Sequence, residues 1–151
     1  MFKRILVCLD GSDLAEQILP YAIETAKKFD SKITLLEITS PPTTIIEPML
    51  GYYNATSLEK FQRDESQAVT YLEKLVKRLQ KQGLEVDYAT SFGSPGEAIV
   101  HYAAKHQVSL IALCTHGHSG LGRMVFGSVA EHVIRHSTLP ILVRKPEKVK
   151  E

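Results

Sequence analysis

Apolar residues in this chain alternate between short continuous runs and stretches in which they recur at helical spacing. Continuous runs rich in β-branched side chains occupy residues 5–9 and 32–38, and a further run begins at Val108. Such runs are typical of strands that are buried on both faces of a parallel sheet. We therefore expect strands and helices to alternate along the chain.

The first helix is expected to begin with Ser12 or Asp13 as its N-cap and to end at Asp30. Pro20 lies inside this stretch. A proline removes the hydrogen bond to the carbonyl four residues earlier, here that of Glu16, so we expect a kink in this helix.

Two further helices carry clear start signals. Thr56 and Glu59 form a capping box that opens a long helix, and Gly83 should end it. Ser94 is the expected N-cap of the next helix, with Pro95 at its first position. The predicted core faces comprise Phe61, Glu65, Ala68, Val69, Leu72, Leu75, Val76 and Leu79 in the long helix and Ile99, Val100, Ala103 and Ala104 in the next.

Residues 84–90 alternate apolar and polar side chains, which predicts a strand nearer the edge of the sheet. With the other runs and a last apolar run at residues 141–143, this strand completes an alternating order of strands and helices that indicates an α/β fold. We expect a five-stranded parallel sheet with right-handed crossovers and helices on both faces. Residues 1–151 should form a single domain whose ligand lies beyond the carboxyl ends of the strands.

Residues 39–57 break the alternation. Three prolines and a glycine oppose regular structure here, but six large apolar or aromatic side chains make the segment too apolar for a free linker. We interpret it as a loop insertion that either packs over the sheet edge or forms a lid or partner surface.

Composition narrows the possible functions. The 18 basic and 17 acidic residues leave a net charge of +1, so the chain has no broad positive electrostatic potential to attract nucleic acid or an anionic membrane. Any anion must therefore be recognised by a local site. Cys8 and Cys114 lie in apolar runs, as expected of buried, reduced thiols. No run suits a signal peptide or a transmembrane span, which predicts a cytoplasmic protein.

Candidate chemistry is densest between Cys114 and Ser128, where an apolar run leads through a glycine-rich loop to the start of another helix. Backbone N–H groups at such a helix start, with a capping box of Ser128 and Glu131, suit an anion. The loop lacks the correctly placed third glycine of a dinucleotide fingerprint and the lysine of a P-loop.

The histidines near this loop have two interpretations each. His116 and His118 are either donors to a phosphate or solvated loop side chains. His132 and His136 lie four residues apart on the last predicted helix. Because Val133 stands where a zinc protease has glutamate, we expect no catalytic zinc site there.

Landmarks along the whole chain carry a family resemblance. His116-Gly117 is followed after nine residues by Gly127-Ser128 and then by VAEHVIRHSTLPILVRK, and the chain also contains ILVCLDGS, LLEI and GSPGEAI. Together these landmarks resemble the universal stress protein family. The resemblance implies a Rossmann-like, doubly wound sheet of strand order 3-2-1-4-5, and a homodimer formed through the last strand, residues 140–144.

The resemblance also implies an ATP site. Asp10 would lie near the adenine and ribose, Ile38 would border the adenine, and residues 113–117 and 127–129 would wrap the ribose and phosphates. Arg123 is either a phosphate partner or a solvated side chain. The ATP is expected to carry Mg²⁺. The predicted nucleotide-binding residues are Leu9, Asp10, Ile38, Leu113, Cys114, Gly117, His118, Ser119, Arg123, Gly127, Ser128 and Val129.

Cys114 departs from the family pattern, whose ATP-binding members carry glycine at this position of Gly-x2-Gly-x9-Gly-(Ser/Thr). If the backbone needs the left-handed region here, the cysteine Cβ costs about 1–2 kcal/mol. If the backbone does not need that region, cysteine is small enough to fit.

The leading hypothesis is a nucleotide-responsive switch or regulator in a stress response, with a protein partner still to be identified. One alternative is a slow ATP hydrolase, which the lack of a clear water-positioning Asp, Glu or Gln in the glycine loop disfavours. The other is a nucleotide-free interaction protein, in which Cys114 closes the site and the segment 39–57 recruits partners.

Overall fold

The computed structural model describes residues 1–39, 55–116 and 126–148, with the side chains of residues 55–63 left out of the description. The strands are β1 (Arg4–Leu9), β2 (Lys32–Thr39), β3 (Val86–Phe92), β4 (Leu110–Cys114) and β5 (Ile141–Arg144). The helices are α1 (Asp13–Glu16), α2 (Leu19–Phe29), α3 (Ala55–Gln80), α4 (Pro95–Lys105) and α5 (Ser128–His136).

The five strands form one parallel sheet in the order β3-β2-β1-β4-β5, which confirms the predicted order and places β3 at an edge. Val7 of β1 pairs with Leu35 of β2 on one side and with Ala112 of β4 on the other. The winding direction reverses between β1 and β4. The carboxyl ends of these two strands therefore form the crevice in which such sheets bind ligands.

Two apolar layers cover the faces of the sheet, because alternate residues of each strand point to opposite faces. On one face, Val7 packs with residues of α1, α2 and α3, such as Leu72. On the other face, Leu6 packs with residues of α4 and α5, such as Ile99 and Val133. Helices on both faces are therefore confirmed.

The kink predicted for the first helix is wrong, because the chain forms two helices here. Ser12 does cap α1, since its hydroxyl accepts a hydrogen bond from the Ala15 N–H at 3.2 Å. Pro20 cannot donate to the Glu16 carbonyl, so α1 ends and α2 starts anew. At the second position of α2 the proline needs no N–H partner. Asp30, with φ 51°, closes α2 as predicted.

Other boundaries differ in smaller ways. The long helix α3 begins at Ala55, so Thr56 lies inside it and does not cap it. The fourth strand begins at Leu110, two residues after the buried Val108. The proposed roles of the loop insertion concern residues 40–54, which lie outside the described part of the chain.

The predicted helix core faces are largely confirmed. Glu65 and Ala104 are exposed, contrary to expectation. A buried Glu65 carboxylate would need a partner, and Ala104 lies a further 100° around α4 from its buried neighbour Ala103. Phe61 lies among the side chains that are not described. The predicted positions that are buried are Ala68, Leu72, Leu75, Leu79, Ile99 and Ala103.

Among the described residues, no helix combines the length and the apolar character needed to cross a membrane.

Candidate functional site

A cavity of about 350 Å³ opens at the carboxyl ends of β1 and β4. This is where the winding of the sheet reverses, and the volume lies in the range of small-molecule sites, about 300–1,000 Å³. The described residues that line it are Cys8, Leu9, Asp10, Ala15, Leu36, Ile38, Pro95, Ile99, Leu113, Cys114, Thr115, His116, Gly127, Ser128 and Val129.

All the predicted site residues that the structure describes lie around this one cavity. Gly117, His118, Ser119 and Arg123 lie outside the described part of the chain. The described ones are Leu9, Asp10, Ile38, Leu113, Cys114, Gly127, Ser128 and Val129.

Five lining residues were missed by the sequence prediction. Leu36 could have been found, because it lies two positions before Ile38 on the same strand and side chains two apart share a face. Pro95 and Ile99 line the cavity because α4 packs beside it, and no local sequence pattern predicts that packing. The other two are Cys8 and Ala15.

One wall of the cavity is apolar and belongs to the layer between the sheet and the helices α4 and α5. Leu36 and Ile38 come from β2, and Leu113 comes from β4. Ile99 and Val129 complete the wall from the helices. An aromatic ring placed against these side chains would be removed from water on its apolar faces.

Asp10 supplies a carboxylate to the rim of the cavity. Its Oδ1 accepts hydrogen bonds from the backbone N–H of Ser12 at 2.9 Å and from the Ser12 hydroxyl at 2.5 Å. The same hydroxyl caps α1. The turn after β1 is thus held by one short network, which fixes the direction of the Asp10 side chain.

Thr115 and Gly127 meet at the polar end of the cavity. The Gly127 N–H donates to the Thr115 carbonyl at 2.8 Å, and the Thr115 N–H donates to the Arg144 carbonyl at 2.9 Å. The Thr115 hydroxyl lies 2.8 Å from Nδ1 of the buried His116. A Cβ on Gly127 would overlap the Thr115 carbonyl oxygen. Since Gly127 has φ −70°, space and not a left-handed backbone requires glycine here.

The capping box predicted from Ser128 and Glu131 is wrong. Gly127 is the N-cap of α5, so Ser128 is the first helical residue. The Glu131 N–H donates to the Gly127 carbonyl at 3.0 Å, and the Glu131 carboxylate pairs with Arg135 at 2.9 Å. The helix still begins at the cavity, so its unpaired N–H groups and dipole favour an anion there.

Cys114 fits its position without backbone strain. Among the described non-glycine residues, positive φ occurs only at Asp30 and Gln107. Cys114 is instead a regular residue of β4, and its thiol donates to the Ala15 carbonyl at 3.6 Å. Burial raises the pKa of this thiol to about 11 and that of the Cys8 thiol to about 12. Both cysteines are buried and free, as predicted.

The comparison with known proteins decides the family. The profile of the universal stress protein family matches residues 1–145. The chain belongs to the universal stress protein family. Universal stress protein MJ0531 of Methanocaldococcus jannaschii is 32% identical over 149 residues, which are 98% of this chain and 85% of the relative.

Solved structures of the universal stress family have the same fold. The structure of MJ0577, a universal stress protein of M. jannaschii, is 27% identical, has a TM-score of 0.79 and covers 99% of both chains. Three structures of 15–20% identity and TM-scores of 0.66–0.68 show the fold alone. They are a universal stress protein complex with cAMP, an Arabidopsis thaliana family protein with AMP and an Archaeoglobus fulgidus family protein with dAMP.

Proposed function

We propose that this universal stress family protein binds an adenine nucleotide, specifically ATP, in the cavity and acts as a nucleotide-responsive switch or regulator in a stress response. The observation that carries the proposal is the juxtaposition of an apolar wall with a helix N-terminus in one cavity. A nucleotide has two complementary parts. Its flat base can pack against the apolar wall, and its anionic phosphate can bind at the helix N-terminus.

The base would lie against Ile38 and Leu36, and the phosphates would lie toward Gly127 and Ser128. Asp10 is placed at the rim, where its carboxylate can accept a hydrogen bond from a ribose hydroxyl or an exocyclic amine. In this arrangement the backbone N–H groups at the start of α5 and the Ser128 hydroxyl donate to phosphate oxygens. We propose the same phosphate end for Gly117, His118, Ser119 and Arg123.

Structural relatives support an adenine ligand. The cAMP, AMP and dAMP seen with those proteins share an adenine and at least one phosphate. We extend this to ATP because the site resembles that of the family's ATP-binding members.

We propose that Mg²⁺ accompanies the phosphates. Asp10 is the one carboxylate among the described lining residues, and its Oδ1 already accepts two hydrogen bonds. In the described part of the chain, no group of three or more His, Cys, Asp or Glu residues could hold a metal ion. These residues therefore suit an ion that is coordinated mainly by phosphate oxygens and water, as Mg²⁺ commonly is.

The orientation of the Cys114 side chain favours an open, nucleotide-binding site over a closed, nucleotide-free one. The thiol turns to the Ala15 carbonyl, and a volume of about 350 Å³ remains beside it. The cysteine side chain therefore leaves room for a ligand.

The decisive experiment extracts and chromatographs any nucleotide bound to the purified protein, and then titrates the emptied protein with ATP, ADP, AMP and GTP by calorimetry. We expect saturable ATP binding that is tighter than GTP binding.

Ser128→Ala should weaken ATP binding about threefold to tenfold, because it removes one donor to a charged group. Ser137→Ala, at the other end of α5, is the matched control and should bind as the parent does. Absence of saturable ATP binding would overturn the proposal, and ADP release measured on the same sample would reveal turnover.

We also propose a homodimer formed through β5. This strand is at the edge of the sheet, its residues are partly exposed, and Ile134 of the adjacent helix α5 is 41% exposed. An open parallel edge carries unpaired backbone groups that a second copy can pair.

The register identifies which backbone groups a partner would use. The Pro140 carbonyl accepts a hydrogen bond from the Ile111 N–H of β4, and the Arg144 carbonyl accepts one from the N–H of Thr115, the residue after β4. Because alternate residues of a parallel strand bond to opposite sides, the Val143 N–H faces the open edge. Val143→Pro should convert the dimer to a monomer in light scattering, whereas Val143→Thr should leave it dimeric. A monomeric parent protein, or a dimeric proline variant, would refute this interface.

A further inference from the structure

We propose that His132 and His136 form a surface site for a divalent transition-metal ion such as Ni²⁺, Zn²⁺ or Cu²⁺. The two residues lie four apart on α5, which places them on one face of the helix. Their rings are stacked, with centroids 4.1 Å apart and planes 22° apart. Imidazole nitrogens are ligands that these ions prefer.

The hydrogen bond of His136 selects the tautomer that a metal needs. Its Nδ1 lies 2.9 Å from the carbonyl oxygen of His132. Since a carbonyl oxygen only accepts, Nδ1 carries a proton, and in the neutral ring the lone pair is then on Nε2. A backbone carbonyl bound to the second ring nitrogen is the arrangement that orients histidine ligands in metal sites.

His132 is held in place by the neighbouring helix. A Cβ placed on Gly96 of α4 would come within 2.7 Å of the His132 Cβ and 2.9 Å of its Cγ. The side chain therefore packs directly on the α4 backbone, which limits its rotation and lowers the entropy lost when it binds an ion. In the described ranges, its ring nitrogens make no hydrogen bond with another residue.

Binding of one ion by both histidines requires a change in the orientation of the rings. At metal–nitrogen distances of about 2.1 Å, two neighbouring ligands of a tetrahedral or square-planar ion lie about 3.0–3.4 Å apart. In the stacked arrangement the two ring planes are nearly parallel, so the rings must also tilt before a nitrogen of each points at one ion. The exposed His136 can supply this change by rotation about its χ angles. Glu131 and Arg135, the sequence neighbours of the two histidines, form an ion pair at 2.9 Å, so the positive charge of Arg135 is compensated by a carboxylate.

The pair is separate from the cavity. Neither histidine is among the lining residues. His132 lies about 6 Å along α5 from Ser128 at the cavity, roughly one helical turn. The proposal therefore does not depend on nucleotide binding.

The test titrates the full-length, nucleotide-free protein with NiCl2 and with ZnCl2 by calorimetry. We expect one ion per chain, with His136→Ala weakening the affinity roughly tenfold or more because the second, intramolecular ligand is lost. His106→Ala is the matched control, since His106 is also exposed at the end of a helix, with its ring stacked on Tyr102. This variant should bind the ion as the parent does.

A spectroscopic measurement keeps the proposal testable if affinities are modest. Electron paramagnetic resonance of one equivalent of CuCl2 should show two equatorial nitrogen ligands in the parent protein and one in His136→Ala. Equal affinity of parent and His136→Ala, equal losses in His136→Ala and His106→Ala, or a single nitrogen ligand in the parent would each overturn the proposal.

Discussion

Gly127 and Thr115 join the two ends of the glycine-rich segment through one backbone hydrogen bond of 2.8 Å. The oxygen that accepts this bond is also the atom that a Cβ on Gly127 would overlap. Glycine is therefore required at this position by the contact between strand end and helix start, before any phosphate arrives. The family resemblance implies only that residues 127–129 wrap the ribose and phosphates, whereas this contact requires glycine without any ligand.

We predict that Gly127→Ala destabilises the nucleotide-free protein by about 1–3 kcal/mol, the usual effect of forcing atoms into a packed site. Urea unfolding measures the change. The neighbouring Ser128→Ala is the control and should change the free energy of unfolding by no more than about 0.5 kcal/mol. If Gly127→Ala left stability unchanged and weakened only ATP binding, the phosphate explanation would be correct instead.

Restoring the family glycine at position 114 should not improve nucleotide binding. The backbone at Cys114 has regular strand conformation, so the conformational freedom of glycine brings no benefit. The substitution removes the buried side chain and the hydrogen bond from the thiol to the Ala15 carbonyl. We expect Cys114→Gly to lower the free energy of unfolding by roughly 2 kcal/mol. ATP affinity, measured by calorimetry, should not rise. A tenfold tighter Cys114→Gly variant would mean that cysteine obstructs the site.

Cys8 should make the fold less stable at alkaline pH. Burial raises its folded pKa from 9.0 to about 12, so the unfolded thiol ionises first. The contribution of the protonated Cys8 thiol to the free energy of unfolding is complete below pH 9. It is lost between pH 9 and 12, at up to about 1.4 kcal/mol per pH unit. Cys8→Ala should therefore show a shallower fall in the free energy of unfolding between pH 9 and 11. Parallel pH profiles of the two proteins would contradict the assignment.

Tyr71 connects α3 to α1, because its hydroxyl donates to the Glu16 carboxylate at 2.9 Å. Burial, followed by the nearby Glu16, raises the pKa of Tyr71 well above its ordinary value. We expect Tyr71→Phe to lower the free energy of unfolding by about 1 kcal/mol. Tyr88→Phe removes a similar bond of 3.0 Å to Glu73 at an exposed site, and should cost less than about 0.5 kcal/mol. Equal effects in urea unfolding would show that burial of the first bond adds nothing.

The elements of the sheet could be predicted because their signals are local. Continuous apolar runs marked the central strands, alternation marked the edge strand β3, and family landmarks supplied the strand order. The family resemblance also assigned Leu9, Ile38 and Leu113 to one site, which agrees with the rule that parallel strands end together. Their position around one cavity follows from that topology.

The chain alone determined the hydrophobic periodicity, the approximate positions of the strands and the glycine-rich motif typical of the family. Tertiary structure decided what those residues contact. It made Gly127 obligatory through Thr115, placed Cys114 in an unstrained strand, and added Pro95 and Ile99 to the cavity wall. These outcomes depend on distances between residues far apart in sequence. Those distances are set only when the helices pack on the sheet, so the periodicity of the sequence does not contain them.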